Sequence, residues 1–185
     1  MVIVRYHLLS SLIQRFVNAP MDHPSSVEHF TSEILAHRGI IHKICRIYRR
    51  DADDRNDLYQ EIVLNAWQSF ARFEGRSKFS TWLYRVALNT ALYQTRKDKF
   101  FGKLSDLDSA ENQPEELSNE DDLRLLYRAI DQLDAVEKSI VLLYLDELPY
   151  KEISEITGLT ETNVGVKLNR IKLKMKTILA AYGAR

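Results

Sequence analysis

The sequence predicts an all-α protein of two small helical domains joined by a flexible acidic linker. Three observations carry that prediction. Six glycines and four prolines in 185 residues leave too little turn chemistry for a many-stranded sheet. Apolar residues recur at helical spacing in two blocks, which flank the polar stretch FFGKLSDLDSAENQPEELSNEDD. A formal net charge of zero conceals an ordered distribution. Residues 28–99 carry 13 Lys/Arg against 9 Asp/Glu, and residues 100–122 carry one against 8. Residues 123–161 carry 4 against 8, and residues 162–185 carry 6 against none. The predicted domains are 27–99 and 123–185, with an extension at 1–26 and the linker at 100–122.

The leading segment, MVIVRYHLLSSLIQRFVNAP, is interrupted by Arg5, His7, Gln14 and Arg15, so it does not read as a signal peptide. Met21 is a candidate start, because MDHPSSVEHF opens with a turn and a helix-capping serine. No apolar run approaches the ~18 residues of a membrane span. From Val27 to Tyr48, Phe30, Ile34, Ile41, Ile44, Cys45 and Tyr48 keep helical spacing, with a break expected near Gly39. Cys45 is the only cysteine, which excludes a disulfide framework and a cysteine-based zinc site. A small buried thiol in a reducing cytoplasm is the expectation.

A further helix starts around DADDRNDLYQEIVLNAWQSF. Tyr59, Ile62, Val63, Ala66, Trp67 and Phe70 fall on one face, with Asp57, Glu61, Leu64 and Gln68 opposite. After the Gly75 loop, Ser77 or Ser80 can cap a helix running to about Lys97. In the second block Leu123 to Leu133 is helical, and DAVE at 134–137 has the form of a capping box opening a helix to about Leu145. Pro149 then opens a short helix, Gly158 ends it, and Thr160 caps a longer one. Short helix, glycine turn and basic helix make a helix-turn-helix pattern.

That longer helix divides into two faces. Val164, Leu168, Ile171, Met175 and Ile178 form an apolar stripe that would seat it on its own domain. Asn163, Lys167, Arg170 and Lys174 run along another face, flanked by Thr162 and Asn169. An α-helix fits the DNA major groove, where amides and guanidinium groups read base edges and lysines hold phosphates. The competing reading is a solvated basic helix end that complements the helix dipole. The turn upstream and the lack of any acid after Glu161 favour DNA.

The stretch FARFEGRSKFSTWLYRVALNTA mixes aromatics and cations around a single glycine. Thr81, Arg85, Asn89, Leu92 and Arg96 project from one face of its helix, while Phe79, Leu83, Val86 and Thr90 turn the other way and Trp82 sits at the border. Two readings stand. The rings and cations could hold unpaired nucleotides, bases stacking on rings and phosphates meeting Arg and Lys. Alternatively Phe79 and Trp82 are core and the cations are surface.

The run DLYQEIVLNAWQSFARFEGRSKFSTWLYRVALNTA resembles region 2 of bacterial sigma-70 family initiation factors of the extracytoplasmic-function group. The likeness lies in D-x-x-Q-E, in the aromatic before a short glycine loop, and in T-W-L-Y-R-x-A-x-N. The segment LDAVEKSIVLLYLDELPYKEISEITGLTETNVGVKLNRIK resembles region 4 of the same group. Together the two cover roughly residues 28–98 and 123–180, in the family's order.

The resemblance implies a region 2 bundle at 27–99, a region 4 helix-turn-helix at 123–185, and a role for each surface. The helix with Asp57, Gln60, Glu61, Leu64 and Gln68 would dock on core RNA polymerase. Phe73, Arg76, Ser77, Lys78, Thr81, Trp82, Arg85, Asn89 and Arg96 would capture and read the promoter −10 element, a base flipping into the loop after Phe73. Thr162, Asn163, Lys167, Asn169, Arg170 and Lys174 would enter the major groove of the −35 element. The acidic linker resembles the segment that threads toward the polymerase active-site and RNA-exit path. An anti-sigma factor, often membrane-anchored in this group, is the expected regulatory partner.

Three features depart from the family pattern. Gly165 falls where a side chain is frequent in the recognition helix, which costs helix stability. Arg76 stands where an acid is frequent, and residues 1–20 match no recognised family segment.

Other chemistry is thinly represented. DADDRND resembles a calcium loop only until Arg55, Asn56 and Ile62 occupy its fifth, sixth and twelfth positions. His37 and His42 are poorly spaced for joint ligation. No nucleotide-binding glycine loop and no nucleophile–base set appears. The expectation is therefore a cytoplasmic, non-enzymatic transcription initiation factor with no cofactor and no metal. Its partners are core RNA polymerase and promoter DNA, without direct membrane insertion. A stand-alone helix-turn-helix regulator is the alternative, and it leaves Phe73 to Asn89 without a purpose.

Overall fold

The computed structural model describes residues 24–102 and 120–182. In order the helices are α1 (Pro24–Ala36), α2 (Arg38–Tyr48), α3 (Ala52–Phe70), α4 (Phe79–Phe100), α5 (Glu120–Asp131), α6 (Ala135–Leu145), α7 (Tyr150–Thr157) and α8 (Glu161–Ala181). No strand occurs among the described residues. Most of the predicted extension and most of the acidic linker lie outside them. Contacts divide the chain between Leu35 and Ala36, within the segment predicted as the first domain, so α2 to α8 form one unit.

The break predicted near Gly39 falls at His37, whose backbone leaves helical geometry at φ −109°, ψ 12°. Gly39 instead lies in the first turn of α2. Asp51 caps α3, its carboxylate accepting from the amides of Asp53 at 2.8 Å and Asp54 at 3.3 Å. The buried row of α3 is Leu58, Ile62, Ala66, Trp67 and Phe70. Tyr59, expected in that row, is only half-buried, with its ring 4.9 Å from His42. Neither Ser77 nor Ser80 caps α4. Lys78 holds the N-cap position in extended geometry and supplies no side-chain cap. Ser77 therefore stands one residue too early and Ser80 inside the first turn. Helices α2, α3 and α4 pack on one another around Ile41, Ile44, Ile62 and Leu83, all fully buried. Each such side chain contributes about 1.5–3 kcal/mol by leaving water.

In the second block the capping box is complete. Asp134 accepts from the amides of Val136 and Glu137, and Glu137 accepts from the amide of Asp134. Gly158 closes α7 at φ +73°, a left-handed geometry that favours glycine. Thr160 caps α8 by accepting from the amide of Asn163 at 3.2 Å. Ile140, Leu143, Ile153, Val164, Leu168 and Ile171 fill the core between α6, α7 and α8. The predicted apolar stripe of α8 is buried through Met175, and Ile178 is half-buried.

The two blocks meet through α2 and α4. The Tyr48 hydroxyl donates to the Ala135 carbonyl at 2.6 Å and lies 2.6 Å from Ser139 Oγ. Tyr84, 5% exposed, donates its hydroxyl to Asp146, which also pairs with Lys43. The Arg46 guanidinium stands 4.5 Å over the Tyr127 ring. These contacts join elements that the sequence presents as two domains.

Candidate nucleic-acid interface

The loop between α3 and α4 builds one side of the site. Phe70 ends α3, and the chain turns through Arg72 and Phe73, whose amides donate to the carbonyls of Ser69 and Phe70. Gly75 then takes φ +68°, a conformation that would strain a side chain. Phe79 opens α4 with its ring 6.2 Å from Phe70 and 5.8 Å from Phe73. Trp82, one turn on, lies 5.0 Å from Phe73 and 5.1 Å from Phe79.

These rings are neither wholly core nor wholly surface. Phe70 is buried at the base, while Phe73 and Trp82 are half-buried and line an open cleft of about 230 Å³. Arg72, Glu74, Arg76, Ser77 and Arg85 complete its walls. The aromatics thus serve as a core cluster at their inner edge and as a cleft wall at their outer edge. Arg76 is held at the mouth by Glu74, 2.5 Å away, although both are well exposed. A planar group with an anionic linkage suits such a cleft, since rings stack and guanidinium groups pair with phosphate.

Along α4 the face runs Trp82, Arg85, Asn89, Tyr93, Arg96 and Phe100, at intervals of three and four residues. Arg85, Asn89, Tyr93, Arg96 and Phe100 are exposed. Tyr93, Phe100 and Phe101 were not singled out in the sequence, yet they line a second open depression with Arg96 and Lys97. The interval pattern was the available signal. Thr81, expected on the outer face, is instead buried at 2% and its hydroxyl meets Glu152. At position 81 the helix already turns toward α7.

On α8, Thr162, Asn163, Lys167, Asn169, Arg170 and Lys174 are all exposed on the side away from the core. Lys174 also donates to Glu137 at 2.8 Å. Gly165 does not share that outer row. A Cβ there would meet the Tyr150 ring at 3.5 Å, an ordinary contact.

The outward side of α3 presents Asp57, Gln60 and Gln68 exposed, with Glu61 and Leu64 half-exposed. This is the side opposite its packing on α2 and α4. Among the described residues no group of His, Cys, Asp or Glu could hold a metal ion. Cys45 is buried, and desolvation pushes its thiol up to about 12.

A ring-lined cationic cleft and a helix-turn-helix occur together in one helical chain, features that suit the class of nucleic-acid-binding proteins. Residues 34–101 match the family described as Sigma-70 region 2, and residues 123–175 match Sigma-70, region 4. The sigma-E factor of Escherichia coli strain K12, an ECF RNA polymerase sigma factor, is 32% identical over 132 residues, covering 62% of this chain and 69% of that one. The ECF RNA polymerase sigma factor SigG of Mycobacterium tuberculosis strain H37Rv is 25% identical over 186 residues. That alignment takes in 85% of this chain but 48% of SigG, so the chain spans about half the length of that relative. Two solved structures share the fold. The sigma factor RpoE of Bartonella quintana, crystallised with the anti-sigma factor NepR, aligns at a TM-score of 0.69 and 20% identity, covering 83% of this chain and 98% of RpoE. CnrH, solved with the cytosolic domain of CnrY, aligns at 0.61 and 18%, covering 92% of this chain and 95% of CnrH. The chain belongs to the sigma-70 family of RNA polymerase sigma factors, in its extracytoplasmic-function group.

Proposed function

We propose that the chain is a transcription initiation factor that binds core RNA polymerase, directs it to a subset of promoters and helps open the −10 duplex. The outward side of α3, with Asp57, Gln60, Glu61, Leu64 and Gln68, is the polymerase contact. Thr162, Asn163, Lys167, Asn169, Arg170 and Lys174 read the −35 element in the major groove. A base leaving the −10 duplex enters the Phe73–Trp82 cleft, where stacking recovers part of the few kcal/mol that unstacking costs. Arg76, Ser77, Lys78 and Arg85 meet its phosphates, Thr81 lies beneath them, and Asn89 and Arg96 follow the strand along α4. One polymerase carrying both surfaces makes the second contact intramolecular, so neither needs high affinity alone.

The observation that carries this reading is the cleft itself, in which two rings and several cations share one open wall beside a helix-turn-helix protein. A stand-alone regulator of duplex operators has no use for it. RNA synthesis belongs to the polymerase, and the chain itself carries no catalytic step.

The proposed compartment is the cytoplasm, where the polymerase works. No helix among the described residues is long and apolar enough to cross a membrane. An anti-sigma factor is the proposed regulatory partner, in line with the complexes in which the two fold relatives were solved.

The test mixes the purified chain with core RNA polymerase and fragmented genomic DNA, and sequences the 5′ ends of the transcripts. Discrete starts preceded by two spaced motifs, lost with Asn89→Ala, support the reading. No polymerase binding and no starts would overturn it.

A further inference from the structure

The far end of α4 carries rings to which the proposed function gives no role. Phe100 is 84% exposed, more than any other large apolar side chain among the described residues, and Tyr93 and Phe101 are each 64% exposed. With Arg96 and Lys97 they line an open depression of about 400 Å³. The Phe100 and Phe101 rings stand edge to face, 5.3 Å apart at 89°, and so form a corner rather than a flat stack. Contiguous exposed apolar surface of this kind marks an interaction site more often than a plain solvated surface.

Charge and position say what the rings fit. Asp98, the only acid of α4, is turned to Arg49 at 2.7 Å. Among the described residues no carboxylate pairs with the exposed Arg96, Lys97 and Lys99, so the patch is of one sign. Cations at a helix end complement the dipole and by themselves name no ligand. Cations interleaved with open rings do, because bases stack on aromatic faces while their phosphates meet Arg and Lys. The patch also continues the face of Trp82, Arg85 and Asn89. From Trp82 to Phe100 the helix makes about five turns and rises about 27 Å. At ~3.4 Å per nucleotide that length takes roughly eight nucleotides, within the ~4–16 of single-strand sites.

We propose that Tyr93, Phe100 and Phe101, with Arg96 and Lys97, form a second stacking site for unpaired DNA, reached by the strand that leaves the Phe73–Trp82 cleft along α4. The strand path rests on the −10 reading made above. Two stacking sites on one rigid helix make the second contact intramolecular, so a strand long enough to span them binds more tightly than a short one. Because the contact is to base faces and phosphates, the second site is indifferent to sequence, and selectivity stays with the cleft.

The test measures fluorescence anisotropy of fluorescein-labelled dT15, dT5 and a 15-base-pair duplex with the full-length chain. The forms compared are wild type, Tyr93→Ala, Phe100→Ala, Tyr93→Phe, Tyr93→Leu and Trp82→Ala, and thermal melting of each verifies folding. Tyr93→Ala and Phe100→Ala should each weaken dT15 binding about fivefold or more, and the advantage of dT15 over dT5 should shrink. Tyr93→Phe keeps the ring and should stay near wild type, whereas Tyr93→Leu should behave as Tyr93→Ala. Duplex binding should not change. Loss with Trp82→Ala alone overturns the second site and leaves the −10 cleft standing. Loss with Tyr93→Ala and Phe100→Ala but not with Trp82→Ala supports the stacking site and sinks the cleft. An equal loss of duplex binding, or full activity of Tyr93→Leu, would rule out stacking of unpaired bases.

Discussion

The Phe73 and Trp82 rings lie 5.0 Å apart, inclined at 37°, on either side of the turn that carries Gly75. The two come from different elements, a loop and a helix, and their spacing is fixed by Phe70 and Phe79 beneath them. A ligand ring seated against this wall would meet a surface that needs little rearrangement.

Replacing Trp82 by Ala should remove that wall while leaving the buried faces of α4 in place. Stacking on an aromatic is worth about 1–3 kcal/mol per base. Binding of a single strand should weaken by that amount, with duplex binding through α8 unchanged. Anisotropy titrations with both DNA forms measure the difference.

Gly75→Ala should act on the same wall through the backbone. At φ +68° a Cβ costs about 1–2 kcal/mol, although nothing lies within 4 Å of it. The loop would relax and Phe73 would lose its register with Trp82. A lowered thermal midpoint with a larger loss of single-strand affinity is the expected pair of readings.

Gly165→Ala should have the opposite sign. Its backbone is helical, and the new Cβ would rest against Tyr150 at 3.5 Å. Replacing a helix-interior glycine gains about 0.5–1 kcal/mol. Denaturant unfolding should show a higher midpoint with an unchanged slope.

Asp134→Ala should remove the side-chain cap of α6, leaving the amides of Val136 and Glu137 without their acceptor while the amide at 134 still donates to Glu137. The loss is about 1 kcal/mol, within the usual range of ~0.5–2 kcal/mol for such caps. Urea unfolding of the variant beside Asp134→Asn separates the cap from the charge.

Alkaline stability follows from Cys45, whose pKa rises from 9.0 to about 12 through burial. Tyr48 and Tyr84 are raised as well, also chiefly by burial. A raised folded-state pKa means that the unfolded chain loses its proton first. The thiol's contribution is therefore complete below pH 9.0 and is lost progressively toward pH 12. Thiol-reagent labelling should be negligible near neutrality in the folded chain and rapid once denaturant is added.

Local chemistry was legible in the sequence wherever one residue type solves one backbone problem. Asp134 with Glu137, Gly158 and Thr160 take the roles that their spacing implied. The start of α4 was not legible, because two serines offered a cap and the aromatic packing of Phe79 set the boundary instead. The division of labour among Phe70, Phe73, Phe79 and Trp82 was hidden for a similar reason. Helical spacing says which residues share a face, not how deep each sits. The bonds from Lys78 and Arg85 to α7 join residues about 70 positions apart and leave no mark on local periodicity. Only the basic-then-acidic order of the charge blocks hinted at them.

Glu137 Oε2 accepts from the Asp134 amide and from Lys174, so one carboxylate both caps α6 and anchors α8. Under the proposed role of α8 in reading the −35 element, any drift in target specificity is therefore unevenly constrained along that helix. Asn163, Lys167 and Arg170 are exposed, so exchanging them should have little consequence for folding, and under the proposed −35 role they are the positions at which a new target would be written. Lys174 cannot be rewritten so cheaply, because the same change loosens the joint between two helices. An orthogonal variant designed for a new promoter should begin at the first three positions and leave the fourth alone.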